Sequence, residues 1–497
     1  MEGFLPIVSV LSFLFLLFKL WSHNKRTQLK LPPTPPALPV IGHLHLFKQP
    51  IHRNLQNLSQ KYGSIFSLRC GSYPMIIISS PSAVEECFTK NDIVLANRPP
   101  LLMGKYLNYN HTTLVTAPYG DHWRNLRRIS ALEIFSAKRL DTFLGIRREE
   151  IRIFLQKLNQ ACCDGFSKVE MRPLLSELTF NIIMRMVTGK RYGNYDVEEA
   201  RKFREMIREI FAYAEASYPG DFLPFLQWID FQGYVKKVKA LARRTDELLQ
   251  GLIDRQRNDQ NSSNKSMISH LLSLQESQPE YYTDEIVKGF ILDIIFGGTE
   301  SSALTIEWAL SSLLKNPQVL EKAKDELDIK IGQESLMDEL DISKLFYLQN
   351  IISETLRLYP AGPLLLPHLS SKDCTIEGYN VSKNTIVLVN AWAIHRNPNL
   401  WNDAEKFKPE RFEEGESDAY CYKFMPFGHG RRTCPGMGLA NKVVGFALGC
   451  MIQCFEWERV DGKEIDMTEG IGLSMPKAIP LEVMCKAREI MKVYSSL

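Results

Sequence analysis

The chain has 497 residues, 60 Lys and Arg against 57 Asp and Glu, a formal net charge of +3 and 45% hydrophobic residues. This length and apolar content allow one large domain or two moderate ones. Near-balanced charge, with no long basic run interleaved with aromatics, argues against nucleic acid as a partner. The ten cysteines form no zinc-type spacing and read as reduced, mostly buried thiols of a cytosol-facing protein.

The run Gly3 to Phe18 is almost wholly apolar and is closed by Lys19, Trp21, Lys25, Arg26 and Lys30. Extended through Trp21, with Lys19 snorkelling, it approaches the roughly 17 to 25 residues of a bilayer helix. A cleaved signal would carry its basic residues before the run and a small-residue site after it, and neither is present. The pattern predicts a single transmembrane anchor over 1–22, a basic and Pro-rich linker over 23–44, and a catalytic domain over 45–497 on the cytosolic side. Within the linker, the prolines of Leu31 to Gly42 forbid helix and predict a stiff, extended spacer.

Ser64–Arg69 and Pro74–Ser79, separated by Gly71, predict a hairpin at the edge of a small sheet. From about Asp121 to Leu327 the apolar period is helical, and the polar stretch 255–264 predicts a solvated loop within it. Trp123 and Arg127, four residues apart, share one helical face. A further helical run from Thr283 to Lys315 contains Gly297-Gly-Thr-Glu-Ser-Ser302. Its glycines weaken the helix, and a hydroxyl bonded back to the preceding turn can open a groove there. Glu354 and Arg357, at i,i+3, have the spacing of an ordinary surface pair. A second β block covers 375–381 and 385–389, and a long apolar helix runs from about Pro435 to Phe455. These elements predict a mainly α, α+β catalytic domain with minor sheets.

The stretch Phe427-Gly-His-Gly-Arg-Arg-Thr-Cys-Pro-Gly436 carries the most chemistry. Its glycines allow a flat, large group to approach the backbone. Pro435 suits a first helical turn, which would put Cys434 at a helix N-terminus, lower its thiol pKa and favour a thiolate metal ligand.

Phe427, Gly430, Arg432, Cys434 and Gly436 together resemble the signature of the cytochrome P-450 family at every fixed position. The likeness extends along the chain: Glu354-Thr-Leu-Arg357 and Pro409-Glu-Arg-Phe412 resemble its K-helix and its partner motif, Trp123 to Arg127 its C-helix motif, and Gly297 to Ser302 its oxygen-activating helix. The resemblance implies haem b held by an axial Cys434 thiolate, with Arg98, Trp123, Arg127, His368 and Arg432 as donors to the haem propionates. It implies a buried structural triad of Glu354, Arg357 and Arg411, and proton delivery by Glu300 and Ser301. Ser301 stands where threonine is usual in the family, so the hydroxyl remains without the methyl that fixes its rotamer.

More narrowly, the chain resembles plant endoplasmic-reticulum members, the group with isoflavone hydroxylases and lignan methylenedioxy-bridge synthases. That implies a monooxygenase fed by NADPH-cytochrome P-450 reductase, with cytochrome b5 as a second donor, acting on a lipophilic phenylpropanoid-derived aromatic. A terpenoid substrate is the alternative. A haem-thiolate isomerase or dehydratase that does not use oxygen, and a haem protein that only binds ligands, are the rival classes. By the same analogy the pocket walls comprise 101–114, 211–225, 294–302, 361–366 and 472–475, with Tyr106, Tyr109, Phe211 and Tyr213 as their aromatics.

Overall fold

A computed structural model describes residues 30–162, 165–192, 197–215, 218–258, 266–413 and 421–491. The expected anchor at 1–22 and the first part of the linker lie outside these residues.

The first helix α1 (Ile51–Tyr62) leads into the expected hairpin, β1 (Ile65–Cys70) and β2 (Tyr73–Ile78), paired antiparallel from Ile65 against Ile78 to Cys70 against Tyr73. Only β1 is an edge. β2 also pairs in parallel with a later strand (Ile386–Val389), and this second pairing explains its unbroken apolar run of Met75 to Ile78.

Helices then dominate, as the period predicted: α2 (Pro81–Phe88), α3 (Asp121–Ile129), α4 (Leu144–Ala161), α5 (Met171–Thr188), α6 (Val197–Glu215), α7 (Tyr234–Asn258), α8 (Asp284–Lys315) and α9 (Phe346–Leu358). Of the loop expected over 255–264, residues 255–258 belong instead to α7, which runs through Asn258. Residues 259–265 lie outside the described residues.

Helix α8 is the central beam. Its start is capped by the Thr283 hydroxyl, which accepts from the Ile286 N–H, and is followed by Asp284 and Glu285; Lys315 lies in its last turn. It packs against α5 over much of its length, and Gly298 is one reason it can. A side chain there would put its first carbon 2.7 Å from Ile183 Cδ1.

Past α9 come β3 (His368–Leu369), the small hairpin of β4 (Cys374–Ile376) and β5 (Tyr379–Val381), and β6 (Ile386–Val389). The first sheet therefore runs β1-β2-β6-β3, with the β4–β5 hairpin separate, so the second β block is split between two sheets. After α10 (Ala391–His395), the chain reaches the cysteine loop and α11 (Met437–Cys454). Both α8 and α11 are long and apolar enough to cross a membrane. However, 67% and 72% of their most apolar windows are buried inside the fold, so they are core helices. Among the described residues all nine cysteines are free thiols.

The Pro-rich segment is not a free spacer. The Ser67 N–H donates to the Pro33 carbonyl at 2.8 Å, Ser67 Oγ to Pro32 at 3.1 Å, and the Asn380 N–H to Lys30 at 2.7 Å. The turn closing it needs Gly42, whose φ is +63° and where a Cβ would lie 2.1 Å from the Arg69 carbonyl oxygen. Lys30, Pro32 and Pro33 of the expected linker thus pack against β1 and β5, because the carbonyls of a proline run remain free to accept from a neighbouring strand.

One buried acid ties α1, α10 and the C-terminal loop together. Glu469 Oε2 bonds His52 Nε2 at 2.8 Å and accepts from Arg53 Nε at 2.7 Å, while its Oε1 accepts from Trp392 Nε1 at 2.9 Å. Burial pushes its pKa up, but the bonds from His52 and Arg53 and the charge of Arg396 more than offset this and hold it at about 2. A carboxylate depressed in the folded state contributes stability above its unfolded pKa and loses it as pH falls through the folded value. On this basis Glu469→Gln should remove roughly 3 kcal/mol of stability at neutral pH. The difference from wild type should shrink between about pH 4.5 and pH 2. Thermal melts across that range would show it, and a gap independent of pH would refute it.

Candidate active site

The cysteine loop, α8, α5 and the segment after α9 enclose an internal cavity of about 380 Å³. Cys434 lies on its floor with Phe427, Gly428, Gly436 and Leu439; Phe290, Ile294, Phe296 and Gly297 of α8 form the opposite side. The Cys434 N–H donates to the Phe427 carbonyl at 2.9 Å, which closes the loop independently of the sulfur.

The loop differs from expectation in three ways. Helix α11 starts at Met437, so Pro435 precedes it and Cys434 stands one turn outside. The sulfur still receives the backbone N–H groups of Gly436 and Met437, and Arg127 lies nearby. Even so, burial pushes the Cys434 thiol up, and those donors only partly oppose it. Although Cys434 has accessible surface, that surface faces the cavity, so the group is exposed inside a deeply enclosed site. Third, the two glycines have different reasons to be there. Gly428, at φ +72°, has nothing near its missing side chain and leaves the floor open to a flat group. Gly430, at φ +68°, is needed because a Cβ would strike Asp92 Oδ1 at 2.4 Å, and it does not line the cavity.

Arg98, Arg127, His368 and Arg432 all line the cavity, and no carboxylate pairs with any of them among the described residues. Arg98 Nη1 donates to the Leu366 and Pro367 carbonyls, its Nε is buried without a partner, and burial lowers its pKa to about 10. Arg432 is lowered to about 9 by burial and by repulsion from Arg98 and Arg127. His368 is held well below its usual value by burial and the charges of Arg98 and Arg432, and its Nδ1 bonds the Leu95 carbonyl at 2.8 Å.

Buried cations without counter-charge are costly, so this cluster is suited to an anionic group. An apolar, flat group bearing two carboxylates, set over a thiolate, satisfies the arginines, the open floor at Gly428 and Cys434 together. The residues therefore fit haem.

Trp123 is committed elsewhere than expected, and Arg432 lines the cavity while also holding the loop. The single indole N–H of Trp123 goes to the Leu114 carbonyl at 3.1 Å and is unavailable to a propionate. Arg432 donates to Ala96 at 2.7 Å, to Leu114 at 3.1 Å and to Ala117, with its guanidinium 4.3 Å over the Trp123 ring. Both shape the loop around the site, and Arg432 adds charge to it.

The triad is buried, contrary to the surface pairing that the spacing alone suggested. Arg357 grips Glu354 bidentately at 2.7 and 2.8 Å, and Arg411 Nε reaches Glu354 Oε1 at 3.0 Å. A link missed in the sequence joins it to the floor. Arg357 Nη1 donates to the His395 carbonyl, and His395 Nε2 accepts the N–H of Met425, two residues before Phe427, at 2.9 Å. Burial and the nearby Arg357 charge lower His395 to about 3.

On α8, Ser301 lines the cavity and its Oγ donates to the Gly297 carbonyl at 2.9 Å, as expected, yet the helix continues unbroken there. Gly297 and Gly298 both line the cavity, and Gly298 also serves helix packing. Glu300 does not line the cavity; its Oε1 accepts from Ser474 Oγ at 3.5 Å, and Ser474 does.

The wall aromatics are only partly as expected. Phe211 is present, stacked on Phe296 with ring centres 4.2 Å apart. Tyr106, Tyr109 and Tyr213 lie outside: Tyr109 donates to Asp246 at 2.9 Å, Tyr106 is flanked by Lys105 and Lys239, and Tyr213 packs on Tyr234. Thr179, Ile182 and Ile183 of α5, with Phe290 and Asp293 of α8, were missed.

An enclosed apolar cavity with a cysteine sulfur on its floor beside uncompensated arginines defines a haem-thiolate protein. A sequence profile of the family Cytochrome P-450 matches residues 32–481, and the chain belongs to that family. It is a haem-thiolate monooxygenase that takes electrons from a redox partner and binds a small-molecule substrate. A cytochrome P-450 of Catharanthus roseus is 56% identical over 481 residues, 96% of this chain and 95% of that one. Isoflavone 3'-hydroxylase of Medicago truncatula is 54% identical over 489 residues, 97% of each. The (+)-piperitol/(+)-sesamin synthase of Sesamum radiatum is 51% identical over 496 residues, 98% of this chain and 97% of that one.

Proposed function

We propose that this enzyme hydroxylates or otherwise oxidises a phenylpropanoid-derived aromatic such as an isoflavone or lignan. In this reading it is anchored in the endoplasmic reticulum membrane by residues 1–22, faces the cytosol, and draws electrons from NADPH-cytochrome P-450 reductase, with cytochrome b5 as a second donor. The observation that carries the substrate class is the stacked pair of Phe211 and Phe296 beside Phe290 in an otherwise apolar wall, a surface suited to a flat, uncharged ring system. The names of the relatives from Medicago and Sesamum agree with it.

Haem, which Cys434 would hold through its sulfur, would supply the oxygen-activating chemistry. The chain's own residues then have distinct tasks. Arg98 and Arg127 would meet the propionates, with His368, whose Nδ1 bonds the Leu95 carbonyl, beside them. Arg432 and Trp123 hold the surrounding loop. Ser301 presents a hydroxyl to the cavity, and Glu300 supplies protons to it by way of Ser474.

Purified enzyme reconstituted with the reductase and NADPH, offered isoflavones, lignans and terpenoids, should convert an isoflavone or lignan to a product one oxygen atom heavier or oxidatively bridged. Turnover confined to terpenoids overturns the substrate class. A second measurement concerns the serine. Ser301→Thr should fix the hydroxyl's rotamer and lower hydrogen peroxide release per NADPH; an unchanged ratio would remove Ser301 from proton delivery.

A further inference from the structure

Asp293 supplies the one carboxyl among the residues lining the cavity. It sits on α8 one turn before Gly297, surrounded there by Phe290, Ile294 and Phe296. Its Oδ2 accepts the Val115 N–H at 3.0 Å, and Thr113 and the Leu114 N–H also bond the carboxyl. No lysine or arginine pairs with it among the described residues. The side chain keeps some accessible surface although protein encloses it completely, so that surface faces the cavity.

An acid in an apolar wall is costly unless it does something there. The Val115 N–H takes Oδ2, and the part of the side chain that faces the cavity can interact with whatever fills the space.

We infer that Asp293 is a specificity-determining residue, whose carboxyl accepts a hydrogen bond from a phenolic hydroxyl of the substrate and thereby sets which part of the molecule faces the floor. This rests on the aromatic-substrate reading above. Burial raises its pKa to about 7, against the bonds from the loop, in keeping with a group short of solvation until a donor arrives.

The test compares wild type and Asp293→Asn in the haem-loaded enzyme, using a hydroxylated isoflavone and lignan and the O-methyl ether of each. The readout is the spectral shift on binding. Asn keeps an oxygen for the Val115 N–H and replaces the cavity-facing acceptor by a donor. Affinity for the phenols should fall about ten-fold, and affinity for the ethers should change less than about two-fold. A purely loop-holding Asp293 would lower both alike, and that result overturns the inference, as would wild-type enzyme binding phenol and ether equally. Thr113→Val, which loosens the same loop but leaves the carboxyl, should preserve the phenol preference. Should Asp293→Asn fail to incorporate haem, Asp293→Glu, which moves the carboxyl by one methylene, must still change the phenol-to-ether ratio, and an unchanged ratio refutes the role. Wild type that binds neither phenols nor ethers overturns the substrate class and this inference together. Equal binding or equal loss overturns the inference alone.

Discussion

Cys434→Ser yields a folded protein that has lost the thiolate-type carbon monoxide spectrum, and its NADPH-dependent turnover falls to background. The loop survives because its closure depends on backbone, through the Cys434 N–H to the Phe427 carbonyl, and on the three carbonyls gripped by Arg432. What disappears is the one soft anionic donor on the floor. Circular dichroism and the reduced carbon monoxide spectrum read the two halves separately. Persistence of the thiolate-type spectrum would require another ligand and would remove Cys434 from the role.

The opposite pattern is expected at the triad. Arg357→Met strips the bidentate partner from a fully buried Glu354 and orphans the carbonyls of His395 and Ala404. Breaking a buried pair on one side costs about 3–5 kcal/mol. Domains have only about 5–15 kcal/mol to lose, so little haem-loaded protein should accumulate. Arg357→Lys should fare little better, because an ammonium cannot reproduce the two-pronged grip while also reaching those carbonyls. Folded yield and melting temperature measure this, and a wild-type melting temperature for Arg357→Lys would show that the grip is dispensable.

The contrast explains what the sequence could disclose. Cys434, Phe427, Glu354 and Arg357 were legible because each lies in a short motif that resembles the family's, although the i,i+3 spacing of Glu354 and Arg357 taken alone pointed to a surface pair. α8 and α11 were legible from their apolar runs, although α11 starts two residues later than the proline suggested.

His395 and Asp293 were not legible. Each is a single polar residue whose role exists only through space, against Met425 in one case and Val115 in the other. The direction of the Cys434 shift was misjudged for a related reason: helix ends show in sequence, whereas the desolvation that outweighs them does not. Tyr106, Tyr109 and Tyr213 were placed in the wall because a tyrosine facing a cavity and one donating to Asp246 or meeting Tyr234 edge to face look alike in a one-dimensional pattern. The proline segment read as a spacer because the groups that donate to its carbonyls, on Ser67 and Asn380, are far away in the chain.

His395 has a consequence for how the enzyme responds to its surroundings. With its imidazole uncharged at every pH a cell experiences, the strap from Met425 to the K-helix region neither tightens nor slackens as acidity changes. A rate profile that bends near neutrality would therefore have its source elsewhere than in this strap.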